Sequence, residues 1–182
     1  GAANVALNLA SLGYDIKLAG VVGQDVDGKW LREELSRHKI DTTAIVVSKT
    51  RPTTRKLRII ARGQQLLRVD REDRNPIGRQ DERLLLQRIR RARRRICGII
   101  CSDYAKGVLT ESVLDLVLRN RLAKDDGLVL VDPKDRNFAR YRGADILTPN
   151  EREIIEATGG TSTNRPSRDL SSRAQDIQKL TS

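Results

Sequence analysis

Apolar residues in the first dozen positions recur every three or four residues. Val5, Leu9 and Leu12 form the stripe and Gly13 the stop, so the spacing predicts a helix over 2–12. Ile16–Gly23, a mostly apolar run closed by glycine, predicts a strand. A second helix follows, capped by Asp25 or Asp27, with Trp30, Leu31 and Leu35 as its buried positions. The period then shortens. Ala44–Ser48, Thr54–Arg62 and Gln64–Asp70 predict three short strands, the last two joined by an Arg62-Gly63 turn. The partial alternation of polar and apolar residues in 56–60 suits a sheet with one open face.

Helical spacing returns in 79–95, with Leu85, Ile89, Ala92 and then Ile96 on one side. Ile96–Cys101 and Leu128–Val131 are continuous apolar runs, expected in a parallel sheet covered by helices. Between them Thr110–Leu122 reads as a helix capped by Thr110, with Val113, Leu114, Val117 and Leu118 as its buried face. The three together make a βαβ unit with a right-handed crossover. Ile146-Leu147 forms a last short strand and leads through Thr148-Pro149-Asn150 into a helix over 151–157. Gly159-Gly160 and Pro166 mark a loop before a final helix striped by Leu170, Ala174, Ile177 and Leu180. The fold class is therefore α/β, with a parallel sheet and a small separate β element inserted near residues 43–70.

Composition narrows this. The 182 residues suit one domain, and with only 3% aromatics the core is built from Leu, Ile and Val. The net charge of +11 and a pI near 10.2 are what a nucleic-acid binder shows. Much of the excess, however, sits on the helix over 79–95, at Arg88, Arg90, Arg91, Arg93, Arg94 and Arg95. That helix has no stacking aromatics, and no zinc, helix-turn-helix or RNA-binding signature surrounds it. A solvated basic face is the better account, so nucleic acid is not the expected partner. No apolar run approaches the ~20 residues of a membrane span, and the opening residues do not resemble a signal peptide. Cys97 and Cys101, four apart in a strand and so roughly 13 Å apart, cannot bridge and read as buried thiols. His38 has no ligand neighbours in sequence and reads as a surface residue. The expectation is a cytoplasmic globular protein. The chain opens on Gly1 rather than Met and stops just after a helical stretch, so it is expected to be a piece of a longer protein.

In open α/β sheets, ligands bind beyond the carboxyl ends of the strands. Those ends carry Ser102-Asp103-Tyr104-Ala105-Lys106-Gly107, Asp132-Pro133-Lys134, and Thr148-Pro149-Asn150-Glu151-Arg152-Glu153. Acids beside Lys or Asn are the mixture expected around a phosphorylated ligand with a divalent cation. Each residue alone also fits a cap or turn, but three such loops in succession favour a site.

Gly1-Ala2-Ala3-Asn4-Val5-Ala6 resembles the glycine-rich signature of the ribokinase-like (phosphofructokinase-B type, PfkB) sugar kinases, and Asn150 with Glu153 matches their N-x-x-E motif. Four further segments resemble the branch of that family acting on D-glycero-D-manno-heptose 7-phosphate. They are Lys56-Leu57-Arg58, Gln64 to Asp70, Ser102 to Gly107, and Asp132-Pro133-Lys134 with Phe138 and Tyr141 to Ala144. In bifunctional members this kinase is joined to a nucleotidyltransferase, and it serves ADP-heptose and lipopolysaccharide core synthesis. The resemblance covers nearly the whole chain. It implies a ribokinase-like three-layer domain, incomplete at both ends, using ATP and Mg2+. Gly1 and Asn4 would contact the sugar. Lys56, Arg58, Gln65 and Arg68 would face its phosphate from a lid near 43–70 that also clasps a second copy in a homodimer. Asp103 would face the sugar, with Lys106 nearby. Lys134 would neutralise phosphate charge, and Asn150 and Glu153 would organise the magnesium region indirectly.

The family's Gly-Ala-Gly-Asp motif, whose Asp is the general base, has no match here; Asp169 and Asp176 lack a glycine-rich context. The resemblance therefore implies that the ATP-binding part and the nucleotidyltransferase domain lie outside this chain, and that the chain alone does not turn over ATP. A non-catalytic dimerising remnant and another PfkB-type sugar kinase stay open as alternatives.

Overall fold

Asp25 sits in extended backbone and its carboxylate accepts the Gly28 amide at 2.8 Å. It, rather than Asp27, starts the second helix. The computed structural model describes residues 1–92, 96–119 and 127–158, with Ala174, Gln175, Ile177, Gln178 and Thr181. Arg93–Arg95, Leu122, the Gly159-Gly160 and Pro166 loop, Asp169, Asp176, and Leu170 and Leu180 of the last predicted helix lie outside the described residues. The chain divides into two compact units: residues 1–92 with 106–108, and the described residues of 93–105 and 109–182.

The first unit contains α1 (Ala2–Ser11), β1 (Gly20–Gly23), α2 (Val26–Arg37), β2 (Ile45–Ser48), β3 (Arg55–Ala61), β4 (Gln64–Arg71) and α3 (Arg79–Ala92). β1 and β2 pair in parallel, and Ala6, Val22, Leu35, Ile40 and Ile45 form the core beside them. The face α1 turns to that core is Ala3, Ala6, Leu7 and Ala10. Leu12, expected in the stripe, is 72% exposed, because it lies past the last helical turn as the C-cap. Gly13 closes the helix at φ +89°, as its position predicts. Leu31 and Leu35 face the core as expected, but Trp30 points outward, since the line Gly28–Leu31–Leu35 leaves it on the flank. Of the predicted strand over 16–23 only 20–23 is laddered, with a single bridge from Lys17 to Asp41 before it.

β2 was expected in the inserted element. Its residues are mostly buried and it pairs with β1, so it belongs to the parallel core. The inserted element is β3–β4 alone, an antiparallel ribbon closed by Arg62 and Gly63, both at positive φ as a two-residue hairpin requires. Both faces of the ribbon are open, not one. On α3, Leu85 and Ile89 are buried as predicted. Arg88 leaves the solvated set, because its guanidinium donates to the carbonyls of Thr43 and Ile45.

The second unit holds β5 (Gly98–Ser102), β6 (Leu128–Asp132) and β7 (Ile146–Leu147), all parallel in that order. The helix α4 (Glu111–Leu114) continues as a π-helical turn over Asp115–Arg119. A 3-10 turn covers Phe138–Tyr141, and α5 spans Glu151–Ala157. Val113, Leu114, Val117 and Leu118 are buried, as the spacing predicts. Cys101, Val129, Val131, Phe138 and Tyr141 complete the core with Leu114, Val117 and Leu118. The strands are not apolar-buried on both faces: Ile100, Leu128 and Ile146 are each more than 40% exposed, because the core cluster covers only the alternate residues. Cys101 is buried but Cys97, just before β5, is exposed, and both thiols are free. Burial pushes the Cys101 thiol up to about 12. No described helix is long and apolar enough to cross a membrane.

Candidate functional site

Parallel pairing puts Ser102 beside Asp132 and Val131 beside Leu147. The turns after β5, β6 and β7 therefore leave one edge of the second unit's sheet. There the Asp103 amide donates to the Asp132 carbonyl at 2.9 Å. The Asp103 carboxylate is buried and accepts the Ala105 amide at 2.7 Å and the Tyr141 hydroxyl at 2.6 Å. Burial, and then the Asp103 carboxylate, raise the Tyr141 hydroxyl well above its ordinary range. Arg140 braces the same corner, donating to Asp135 and, at 2.6 Å, to the Leu109 carbonyl. With both oxygens engaged, Asp103 ties two strand ends to the 3-10 turn.

Asn150 and Glu153 form a capping box at the start of α5. The Asn150 side chain accepts the Glu153 amide, and the Glu153 carboxylate accepts the Asn150 amide, each at 2.9 Å. The other Glu153 oxygen takes the Lys134 ammonium at 2.9 Å, which holds the lysine protonated above its usual range. Asp132, which sequence reasoning left without a role, lies among these groups. Burial, then the negative charge of Glu153 and Asp103, raise its carboxyl against the pull of Lys134. Its one signal in sequence was its place at the carboxyl end of an apolar strand.

In the first unit, the register of the ribbon decides which side chains share a face. Lys56 lies across from Asp70 and Arg58 across from Arg68, while Leu57, Ile59, Leu67 and Val69 pair on the other face. A bulge after Ile59 brings Gln65 opposite Ile60, on the Lys56 and Arg58 side. Lys56, Arg58, Gln65 and Arg68 thus share one face. Arg68 reaches Asp70 at 3.0 Å. Arg58 has no acidic partner among the described residues.

The root of the ribbon is built from buried polar contacts. Thr53 donates its amide (2.9 Å) and hydroxyl (2.6 Å) to Asp25, and its hydroxyl accepts the Gly23 amide at 2.8 Å. The Thr53 hydroxyl and amide, with the Gly28 amide, hold the Asp25 carboxyl down to about 2. Gly23 and Gly28 admit no side chain here: a Cβ would stand 2.6 Å from the Thr53 nitrogen and 2.3 Å from the Gly23 oxygen, respectively. On the far strand, Glu72 takes Lys106 at 2.6 Å and Arg74 at 2.8 Å, which holds its carboxyl to about 2. Gly1 and Asn4 lie exposed at the start of α1, where the Gly1 carbonyl accepts the Asn4 amide at 2.8 Å.

The described residues contain no cluster of three or more His, Cys, Asp or Glu side chains able to hold a metal directly. Asn150 and Glu153 are occupied by each other and by Lys134. The Asp132 carboxylate is the kind of oxygen donor that a magnesium ion, which keeps several waters of its own, would use there.

Sheets of parallel strands with helices packed on them define an α/β protein. Solved structures share the fold. A ribokinase from Giardia lamblia superposes with a TM-score of 0.68 at 15% identity, over 98% of this chain and 55% of that one. A 2-dehydro-3-deoxygluconokinase from Thermotoga maritima does so with 0.68 at 16% identity, over 98% and 59%. The family model for pfkB family carbohydrate kinases matches residues 1–180, and the chain belongs to that family. It is similar to the bifunctional protein HldE of Wolinella succinogenes (43% identity over 160 residues, 87% of this chain and 33% of that protein). HldE of Helicobacter pylori is 42% identical over 161 residues, 86% of this chain and 34% of that protein. The chain spans about a third of the length of the curated relatives it matches.

Proposed function

We propose that this chain is the sugar-phosphate-binding portion of a cytoplasmic kinase that transfers the γ-phosphate of ATP to the anomeric hydroxyl of D-glycero-D-manno-heptose 7-phosphate. The observation that carries the reading is Arg58 directly across from Arg68 on an open strand face. Arg68 already meets the Asp70 carboxylate at 3.0 Å, so Arg58 is left on this face without an acidic partner among the described residues, and a dianionic phosphate would supply one. Lys56 and Gln65 on the same face supply further donors, and Lys106 joins them at the ribbon root. The kinship with HldE proteins supports the heptose as the phosphorylated sugar.

Gly1 and Asn4 take sugar hydroxyls. Asp103 orders the edge from below, while Lys134 meets phosphate charge. Asn150 and Glu153 would organise the region of a magnesium ion, which would supply positive charge for the transferring phosphoryl group when bound. The general base and the adenine site are supplied by residues other than these 182, so the chain alone turns over no ATP. The apolar face Leu57–Ile59–Leu67–Val69, exposed over 42–53% of each residue, supports a homodimer clasped through the ribbon.

Calorimetric titration of the purified chain with heptose 7-phosphate tests the substrate. Saturable binding that disappears for the unphosphorylated heptose is the expected result. Absence of binding, or equal binding of both sugars, overturns the reading. A coupled ATP assay with Mg2+ showing turnover by the chain alone overturns the assignment of the base elsewhere.

A further inference from the structure

Arg51 is an arginine that charge counting passes over, and its side chain is 92% buried by its 8% exposure. Its Nη2 donates to three backbone carbonyls: Asp73 at 2.8 Å, Lys106 at 3.0 Å and Asn75 at 3.3 Å. Nη1 is buried without a hydrogen-bond partner among the described residues. Nη2 also stands 3.8 Å from the Asp73 carboxylate; a cation withdrawn from water onto one long ion pair and backbone oxygens returns little net stability, as a group kept for position does. The three carbonyls belong to two segments. Asp73 and Asn75 follow the strand that leaves the ribbon, and Lys106 belongs to the turn that also carries Gly107. That turn is close-fitted to the same place: the Ile77 amide donates to the Gly107 carbonyl at 2.9 Å, and a Cβ on Gly107 would stand 1.9 Å from the Asn75 oxygen. Arg51 itself precedes β3, so both passages of chain at the ribbon root meet on one guanidinium. The Lys106 ammonium leaves this knot toward Glu72.

We propose that Arg51 is a positioning residue that registers the ribbon root against the 106–107 turn and so fixes where the Lys106 ammonium stands. With Glu72 it holds Lys106 aimed before a phosphorylated sugar arrives. This rests on the substrate reading above for its purpose, though not for its geometry.

Acetylation of the lysines of the intact chain by an amine-reactive ester, read peptide by peptide in a mass spectrometer, tests it. In Arg51→Ala the Lys106 rate is expected to rise about fivefold or more, the factor that loss of a modest local free energy gives. Lys17, paired to Asp41 at 2.7 Å elsewhere in the unit, stays unchanged as the internal control. Added guanidinium returns the Lys106 rate toward that of the parent chain, which a merely loosened fold does not do. An unchanged Lys106 rate in Arg51→Ala overturns the proposal. Should every lysine rise together in that variant, Arg51→Lys decides: it keeps the cation but not the planar fork, and a Lys106 rate equal to the parent's overturns the proposal there too. Heptose 7-phosphate added to the parent chain is expected to slow Lys106 acetylation. If it does not, the substrate reading fails while the positioning result stands on the variants.

Discussion

The β3–β4 ribbon and the β5–β6–β7 sheet are both hydrogen-bonded ladders, yet they hold their functional side chains in opposite ways. The sheet lays alternate residues, Cys101, Val129 and Val131, into a core with Tyr141 and Phe138, so the turns at its carboxyl edge inherit the rigidity of packed side chains. The ribbon is open on both faces and has no core of its own. Its residues are fixed relative to one another by register, and relative to the rest of the unit only by polar contacts at the root. Geometry at the sheet edge is thus a by-product of apolar burial. At the ribbon it depends on Asp25, Thr53, Arg51 and Glu72.

The sharpest way to break this contrast is at Tyr141, which is fully buried, packed edge-on to Phe138 at 6.1 Å and bonded to Asp103. Tyr141→Ala is expected to cost about 3–5 kcal/mol in urea unfolding. A loss below about 1 kcal/mol would show that the sheet edge does not depend on the core. Next comes Asp25→Ala, which removes a helix cap and the anchor of Thr53 together. It is expected to cost about 1–2 kcal/mol and to open the ribbon to limited proteolysis at its root while the second unit stays resistant. Cleavage confined to the second unit would invert the comparison.

Asp25 also sets a pH dependence. Its folded carboxyl titrates near 2 against an ordinary 3.8. Its contribution is therefore complete above about pH 4 and fades as the pH falls toward 2. Proteolysis at the ribbon root should accelerate in that window, and Asp25→Asn should lose part of the dependence, the remainder belonging to Glu72, whose carboxyl is also held to about 2. A root equally sensitive to acid in both proteins removes Asp25 from the account. The smallest effect on stability is expected at Arg58→Ala, within about 0.5 kcal/mol, because its exposed side chain has no acidic partner among the described residues. The same variant should lose heptose 7-phosphate binding in calorimetry. Stability unchanged with binding intact would remove the ribbon face from the site.

How much of this the sequence carried follows the same division. The helix-period stripe of 113, 114, 117 and 118, the Arg62-Gly63 turn, the bounds of α5 and the three acid-bearing turns were all legible, because each follows from spacing or from a residue's own backbone preference. Period alone could not assign Trp30 and Leu12, since an amphipathic helix shows which residues lie on one side but not which side meets a core. β2 looked like part of the inserted element because a short apolar run does not state its partner.

The chain's local chemistry by itself determined its elements, its turns, its caps and the residue types gathered at the strand ends, since these depend on neighbours three or four positions away. Only the tertiary structure decided that a bulge turns Gln65 to the side of Arg58, that Arg88 and Arg51 are spent on backbone carbonyls, and that Asp132 lies amid like charges. The arginine and Asp132 outcomes depend on groups tens of residues apart coming together, and the Gln65 outcome on the pairing register across the hairpin, neither of which spacing along the chain encodes.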